Sequence, residues 1–370
     1  MKYGEEAYGL DRDVLALIER WQRHGHAIGG DVFNDLALRI FAHQLRFNEP
    51  YARYCATFGA STAKLPASWH DIPPVPSAAF KEATLTTFDP ADAALTFETS
   101  GTTAATSGRH YMENAHLYDA ALLAGFEHFM LPDHAHLRYL NLVPNPKARP
   151  HSSLGYMMGR VSERRGDGAS AWYLEEDTLN LDAFVGDIES AIEHDRPVCI
   201  ATTAFALVHL LDSLDDRRYY ALPTGSRVME TGGFKGRSRV VERDDLYGRT
   251  AERFGLSRGA IVAEYGMTEL TSQYYDDVLL RSHDDEPGVV RYKLAPPWLR
   301  PRVVGIDGRT LPDGTVGALV HVDLANRSSC VAIQTEDLGV QFDEGLVLIG
   351  REHGAALRGC SLAAEDLVVR

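Results

Sequence analysis

Apolar positions in the first sixty residues recur at helical spacing: Phe33, Leu36, Ala37, Ile40, Phe41 and Leu45 share one face, with Asp31 standing where a cap is expected. The pattern breaks at "SWHDIPPVPSAAFK". Pro73, Pro74 and Pro76 exclude a helix there and predict an extended path, either a linker or a structured approach to the next element. From Leu95 onward, short apolar runs ("LRYLNLVP", "ASAWYL", "RPVCIATT", "SRVMETGG", "GAIVAEYG") read as strands, with helices predicted over 113–131, 181–194, 203–214 and 243–254. That alternation predicts an α/β fold with helix-covered sheets. After about residue 286 the helical spacing stops, and "GVVRYKL", "LRPRVVGID", "GALVHVDL", "VAIQTEDLGVQF" and "GLVLIG", parted by Gly and Asp turns, predict a β-rich subdomain. The expected organisation is a helical region over 1–70, an α/β nucleotide-binding core over 71–285, and a β-rich subdomain with a short C-terminal segment over 286–370.

Composition narrows what this chain can do. Its 370 residues, 45% hydrophobic and 24% charged, are those of a folded globular protein, and a net charge of -15 with no Lys/Arg cluster excludes nucleic acid as a partner. The N-terminal "MKYGEEAYGLDRDVLALIERW" carries acidic residues and lacks the apolar core of a secretory signal. No apolar run is long enough for a membrane span. Cys55, Cys199, Cys330 and Cys360 are scattered, which suggests neither a disulfide framework nor zinc ligation, so the expected location is the cytoplasm.

Candidate chemistry begins at "ETSGTTAATSGRHYM". Thr99, Ser100, Gly101, Thr102 and Thr103 are five consecutive small or hydroxylated residues, whose backbone N–H groups and hydroxyls can surround phosphate oxygens, with Arg109 and His110 as the nearest basic residues. A Walker loop is absent, and alone such a loop is more often a simple turn. Three further segments change the balance. "METGGFKGRSR" sets Gly232 and Gly233 after a strand, where a flat ligand can approach the main chain, with Lys235 and Arg237 nearby. "AEYGMTE" ends a strand with an aromatic face, Tyr265, a hydroxyl, Thr268, and a carboxylate, Glu269, the last suited to Mg²⁺. "QTEDLG" and "LIGREHG" add Asp337 for ribose hydroxyls and Arg351 for phosphate or ribose.

In this order the segments resemble the adenylate-forming superfamily of acyl-CoA synthetases and adenylation domains: "TSGTT" its phosphate loop, "YGMTE" its nucleotide motif, "TEDLG" and "GRE" its ribose positions. Within it, "IPPVPSAAFK", "ETGGFKGRSR" and "LRGCSL" are most similar to the acyl-protein synthetases of bacterial bioluminescence operons, over roughly residues 70 to 370. The resemblance implies the large-domain fold of that superfamily. It implies ATP and Mg²⁺ as cofactors, Thr99 to Thr103 around the phosphates, and Gly232, Gly233 and Tyr265 lining the adenine site, with Gly266 in the same nucleotide set. Thr268 would meet the α-phosphate, Glu269 the Mg²⁺, Asp337 and Arg351 the ribose, and Lys235 a phosphate as a member of the catalytic set.

Two departures stand out. The superfamily loop usually continues with Gly and, a few residues on, a Lys, where this chain has Ala104, Ala105 and "TSGRH", and only nineteen residues follow Arg351, so the full mobile C-terminal domain with its catalytic Lys is expected to be missing. The resemblance also implies that a cysteine near the C-terminus accepts the acyl group; Cys360 is the matching position. Arg358 and the start of a short predicted helix both favour its thiolate. The other cysteines read as core. The expected activity is ATP-dependent activation of a carboxylic acid, a fatty acid favoured, with transfer to Cys360 or to an acyl-acceptor or reductase partner. The alternatives are an aryl-acid-activating enzyme of natural-product biosynthesis and a non-catalytic nucleotide- or acyl-adenylate-binding protein of the same fold.

Overall fold

A computed structural model describes residues 3–99, 107–175, 178–215, 217–232, 241–281 and 288–351. The chain divides into two compact units, one made of Met1–Ala124, Met267–Gln273 and Lys293–Arg370, the other of Gly125–Gly266 and Tyr274–Tyr292.

The first unit opens with helices Tyr3–His24, Gly30–Phe47 and Glu49–Thr57. The predicted apolar stripe is the buried face of the second, but Asp31 does not cap it. Gly29 holds the cap position and Asp31 lies in the first turn, where its carboxylate still suits the helix dipole. The proline segment is structured. Val75 and Pro76 pair in parallel with Ile333 and Gln334, and the Tyr51 and Tyr54 hydroxyls donate to the carbonyls of Pro73 (2.8 Å) and Pro74 (3.0 Å), which consumes acceptors that a linker would give to water. The predicted β-rich region forms a meander in which Leu299–Val304, Val316–Asp323, Ala332–Phe342 and Gly345–Arg351 pair antiparallel in sequence order.

The second unit is a parallel sheet in the order Ala171–Trp172, Arg138–Leu142, Val198–Thr203, Arg227–Thr231, Ile261–Tyr265, closed by antiparallel Tyr274–Asp276. These parallel strands are buried almost without interruption, as expected for strands covered on both faces. Leu140, Ile200, Val228 and Ile261 pack with helices Leu181–Glu193, Ala204–Ser213 and Arg243–Phe254. From the opposite face, Tyr139 meets Phe126 of helix His116–Met130 at 6.0 Å between ring centres. Among the described residues no helix is long and apolar enough to cross a membrane.

Candidate active site

In the second unit the candidate residues gather at the carboxyl ends of parallel strands, the edge where open α/β sheets bind ligands. Glu264 lies in register with Thr231, whose hydroxyl donates to the Glu264 carboxylate. The next residues along are Gly232 and Tyr265, so two positions thirty-three apart in sequence end neighbouring strands. Gly232 has φ +74°, and among the described residues a Cβ there would meet nothing within 4 Å. Tyr265 is half-buried, with its ring 5.7 Å from that of Tyr274.

In the first unit two paired strands flank the Thr/Ser/Gly stretch in sequence. Leu95–Glu98 pairs with Arg109–Met112, and Thr99 continues the pairing: its N–H donates to the Gly108 carbonyl at 2.9 Å and its hydroxyl accepts from the Gly108 N–H at 2.9 Å. Ser100, Gly101, Thr102 and Thr103 lie outside the described residues, as do Gly233, Lys235 and Cys360. The two basic residues after the loop are not a pair of free cations. Arg109 is ion-paired with Glu98 at 3.1 Å, and His110, opposite Phe97, is fully buried, which pushes its pKa down to about 4.

His110 joins the strand Arg109–Met112 to the nucleotide motif. Its Nδ1 lies 2.8 Å from the Thr268 carbonyl, which can only accept, so Nδ1 carries a proton. Its Nε2 lies 2.9 Å from Asn326 Oδ1, and Asn326 Nδ2 donates to the Glu269 carbonyl at 2.9 Å. With the ring neutral, Nε2 and Oδ1 face each other as two acceptors; a second ring proton would relieve that contact, while burial opposes the charge.

Asp323 secures Thr271 and Ser272, just beyond the motif. Its carboxylate accepts from the N–H groups of Thr271 (3.0 Å) and Ser272 (2.9 Å), from the Ser272 hydroxyl (2.9 Å) and from the Ala325 N–H (3.0 Å). Burial outweighs these bonds and pushes its pKa up to about 6. The turn bearing Asn326 is held from helix Gly30–Phe47 by Gln44, which donates to the carbonyls of Asn326 (2.9 Å) and Arg327 (3.0 Å). Thr268 and Glu269 are therefore built into a buried framework, with Glu269 itself 8% exposed.

Asp337 and Arg351 stand directly opposite each other on adjacent strands. Asp337 also draws upward the pKa of fully buried His321, which burial nonetheless lowers to about 4.

A family model described as "Acyl-protein synthetase, LuxE" matches residues 29–368. The chain belongs to the acyl-protein synthetase family. It is 22% identical over 336 residues to the long-chain-fatty-acid–luciferin-component ligase of Vibrio harveyi, an alignment covering 85% of this chain and 82% of that one. Among solved structures it is similar to ATP-bound MatB from Rhodopseudomonas palustris (17% identity, TM-score 0.50, 70% of this chain and 48% of that one). It is also similar to McyG A-PCP complexed with phenylalanyl-adenylate (19% identity, TM-score 0.50, 72% and 42%). The chain spans about half the length of these structures, which share its fold. Membership makes this acyl-protein synthetase an adenylate-forming ligase that uses ATP to activate an acid.

Sequence reading named His110 only as a basic residue after the loop and did not single out Asn326 or Asp323. A lone histidine on a strand carries no motif. "VDLANRSS" showed only polar residues after an apolar strand, and their partners lie some fifty residues earlier. The remaining cysteines are core, as expected. Cys55, Cys199 and Cys330 are fully buried, and burial raises all three thiols, Cys199 to about 12, which keeps them protonated and unreactive.

Proposed function

We propose that this acyl-protein synthetase activates a long-chain fatty acid as its acyl-adenylate and passes the acyl group to Cys360, from which a partner protein takes it. The carboxylate oxygen attacks the α-phosphorus of ATP, forming the P–O bond of the mixed anhydride as pyrophosphate leaves. The Cys360 thiolate then attacks the acyl carbon, forming a thioester as AMP leaves. The observation that carries this reading is the hydrogen-bonded framework of His110, Asn326 and Asp323, which ties the strand Arg109–Met112 to Thr268 and Glu269 in a chain of this family. The acid and the acceptor are suggested by the name of the Vibrio harveyi relative.

In this reading Thr99 to Thr103, Lys235 and Thr268 bind the phosphates, Gly232, Gly233, Tyr265 and Gly266 the base, and Asp337 with Arg351 the ribose. Nucleotide-bound Mg²⁺ is held by one or two carboxylates together with phosphate oxygens and water, and Glu269 fits as the one carboxylate. Among the described residues no group of three or more His, Cys, Asp or Glu side chains could hold a metal by itself; in this reading the phosphates and water complete the set. Mg²⁺ bound there would offset the charge that spreads over the phosphate oxygens. Among the described residues Cys55, Cys199 and Cys330 are buried free thiols, which suits a cytoplasmic location.

The test is the intact mass of the protein after incubation with ATP, Mg²⁺ and a panel of fatty and aryl acids, wild type beside Cys360→Ser. A fatty acyl adduct that hydroxylamine removes and the variant lacks is expected. An aryl adduct would move the substrate class, AMP release without an adduct would move the acceptor to another molecule, and neither adduct nor AMP would leave a binding protein.

A further inference from the structure

We propose that His110 is a positioning residue for adenylation, acting through the main chain of the nucleotide motif. The proposal rests on the function inferred above and adds a residue to it. Its basis is that the carbonyls of Thr268 and Glu269, consecutive along the chain, are both held by one small network: the first by the His110 ring at 2.8 Å, the second by the Asn326 amide at 2.9 Å. The two holders lie 2.9 Å apart, and the Thr271 hydroxyl closes on the same Asn326 oxygen at 3.4 Å. Anchoring both carbonyls sets the two peptide planes that flank Glu269, which leaves the Thr268 and Glu269 side chains little freedom beyond their own χ rotations.

A histidine that only filled the core could meet this need with any one partner. His110 instead touches two chain segments, 267–273 and 324–327, from a third, the strand Arg109–Met112: it donates to the first and, with the ring neutral, packs acceptor to acceptor against the second. The Phe80 ring packs edge-on against it at 5.9 Å, and among the described residues its polar contacts are the Thr268 carbonyl and the Asn326 amide, not an ion pair. Positioning of this kind acts on the rate. A reacting group displaced by about 1 Å can cost on the order of 100-fold, while ground-state nucleotide affinity, spread over many contacts, changes less.

The experiment compares wild type, His110→Leu and His110→Asn. Asn places a side-chain N–H close to the position of imidazole Nδ1, keeping the donor to Thr268 while losing the link to Asn326. Acid-dependent exchange of pyrophosphate into ATP gives kcat and KM, equilibrium dialysis gives ATP affinity, and thermal melting reports folding. For His110→Leu we expect kcat to fall about tenfold to a hundredfold, ATP affinity to change by less than about threefold, and His110→Asn to recover most of the loss.

A folded Leu variant with the kcat of wild type would overturn the proposal, as would Leu and Asn variants equally impaired in kcat. If His110→Leu does not fold, Asn326→Ala, which frees the Glu269 carbonyl and removes the side-chain contacts to His110 and Thr271 while leaving the His110 donor to Thr268, must show the same split between kcat and affinity. A readout independent of activity is the histidine ¹⁵N spectrum of the intact protein, in which Nδ1 of His110 must carry a proton. A ring protonated on Nε2 alone would sink the proposal even in an active enzyme, whereas absence of exchange in wild type with that proton in place would count against the proposed function instead.

Discussion

Replacing Arg327 tests whether the turn that carries Asn326 depends on a buried ionic anchor. The guanidinium is 1% exposed, binds both Asp11 carboxylate oxygens at 2.7 and 2.9 Å, and donates to Glu113 at 2.7 Å. Arg327→Met fills much of the same volume and leaves the Asp11 and Glu113 carboxylates, 9% and 19% exposed, without their cation. Removing one partner of such a network costs about 3–5 kcal/mol, because the remaining charges stay desolvated. The paired variant Arg327→Met, Asp11→Asn should cost less than the sum of the single changes by about 1–3 kcal/mol. Urea unfolding followed by tryptophan fluorescence reads this directly, since Trp21, Trp69 and Trp298 all belong to the same unit as the network and the first and last pack edge-to-face at 5.2 Å. A loss under about 1 kcal/mol for Arg327→Met, or strict additivity with Asp11→Asn, would refute the reasoning.

Two further outcomes are expected. His43, His110 and His321 are fully buried, and burial lowers their pKa values to about 3, 4 and 4, below the value each takes when unfolded. The unfolded chain therefore binds more protons at these histidines below pH 6.5, and stability falls as pH drops from about 6.5 toward 4, by up to ~4 kcal/mol per unit for the three together, offset by up to ~1.4 kcal/mol per unit below pH 6 by Asp323, raised to about 6; a urea midpoint flat between pH 7 and 5 would contradict this. Gly232→Ala should fold, because its Cβ meets open space, but holding φ near +74° costs about 1–2 kcal/mol. Under the proposed function it should also weaken ATP binding, as measured by equilibrium dialysis, and unchanged affinity would remove Gly232 from the adenine wall.

What the sequence determined by itself was local. The helical stripe over Phe33 to Leu45 and most strand runs from "LRYLNLVP" to "GLVLIG" arise from side-chain period and backbone restriction and form where the pattern predicts, whereas "GVVRYKL" forms a strand only at Lys293–Leu294 and "ASAWYL" only two-residue pieces. The segments "TSGTT" and "YGMTE" stood out only as a constellation, since a small hydroxylated run beside a glycine is by itself more often a simple turn. The tertiary structure decided everything that depends on pairing across distance. It turned "IPPVPS" from a choice between linker and approach into a strand beside Ile333, since only the fold shows which acceptors its backbone meets. It made Gly232 a neighbour of Tyr265 through strand register, and set Asp337 opposite Arg351 in the same way. It also took His110, which in the sequence is one more basic residue near a phosphate loop, and removed it from water. A histidine's charge and hydrogen-bond partners are set by burial and by groups more than 150 residues away, and no local pattern carries that information.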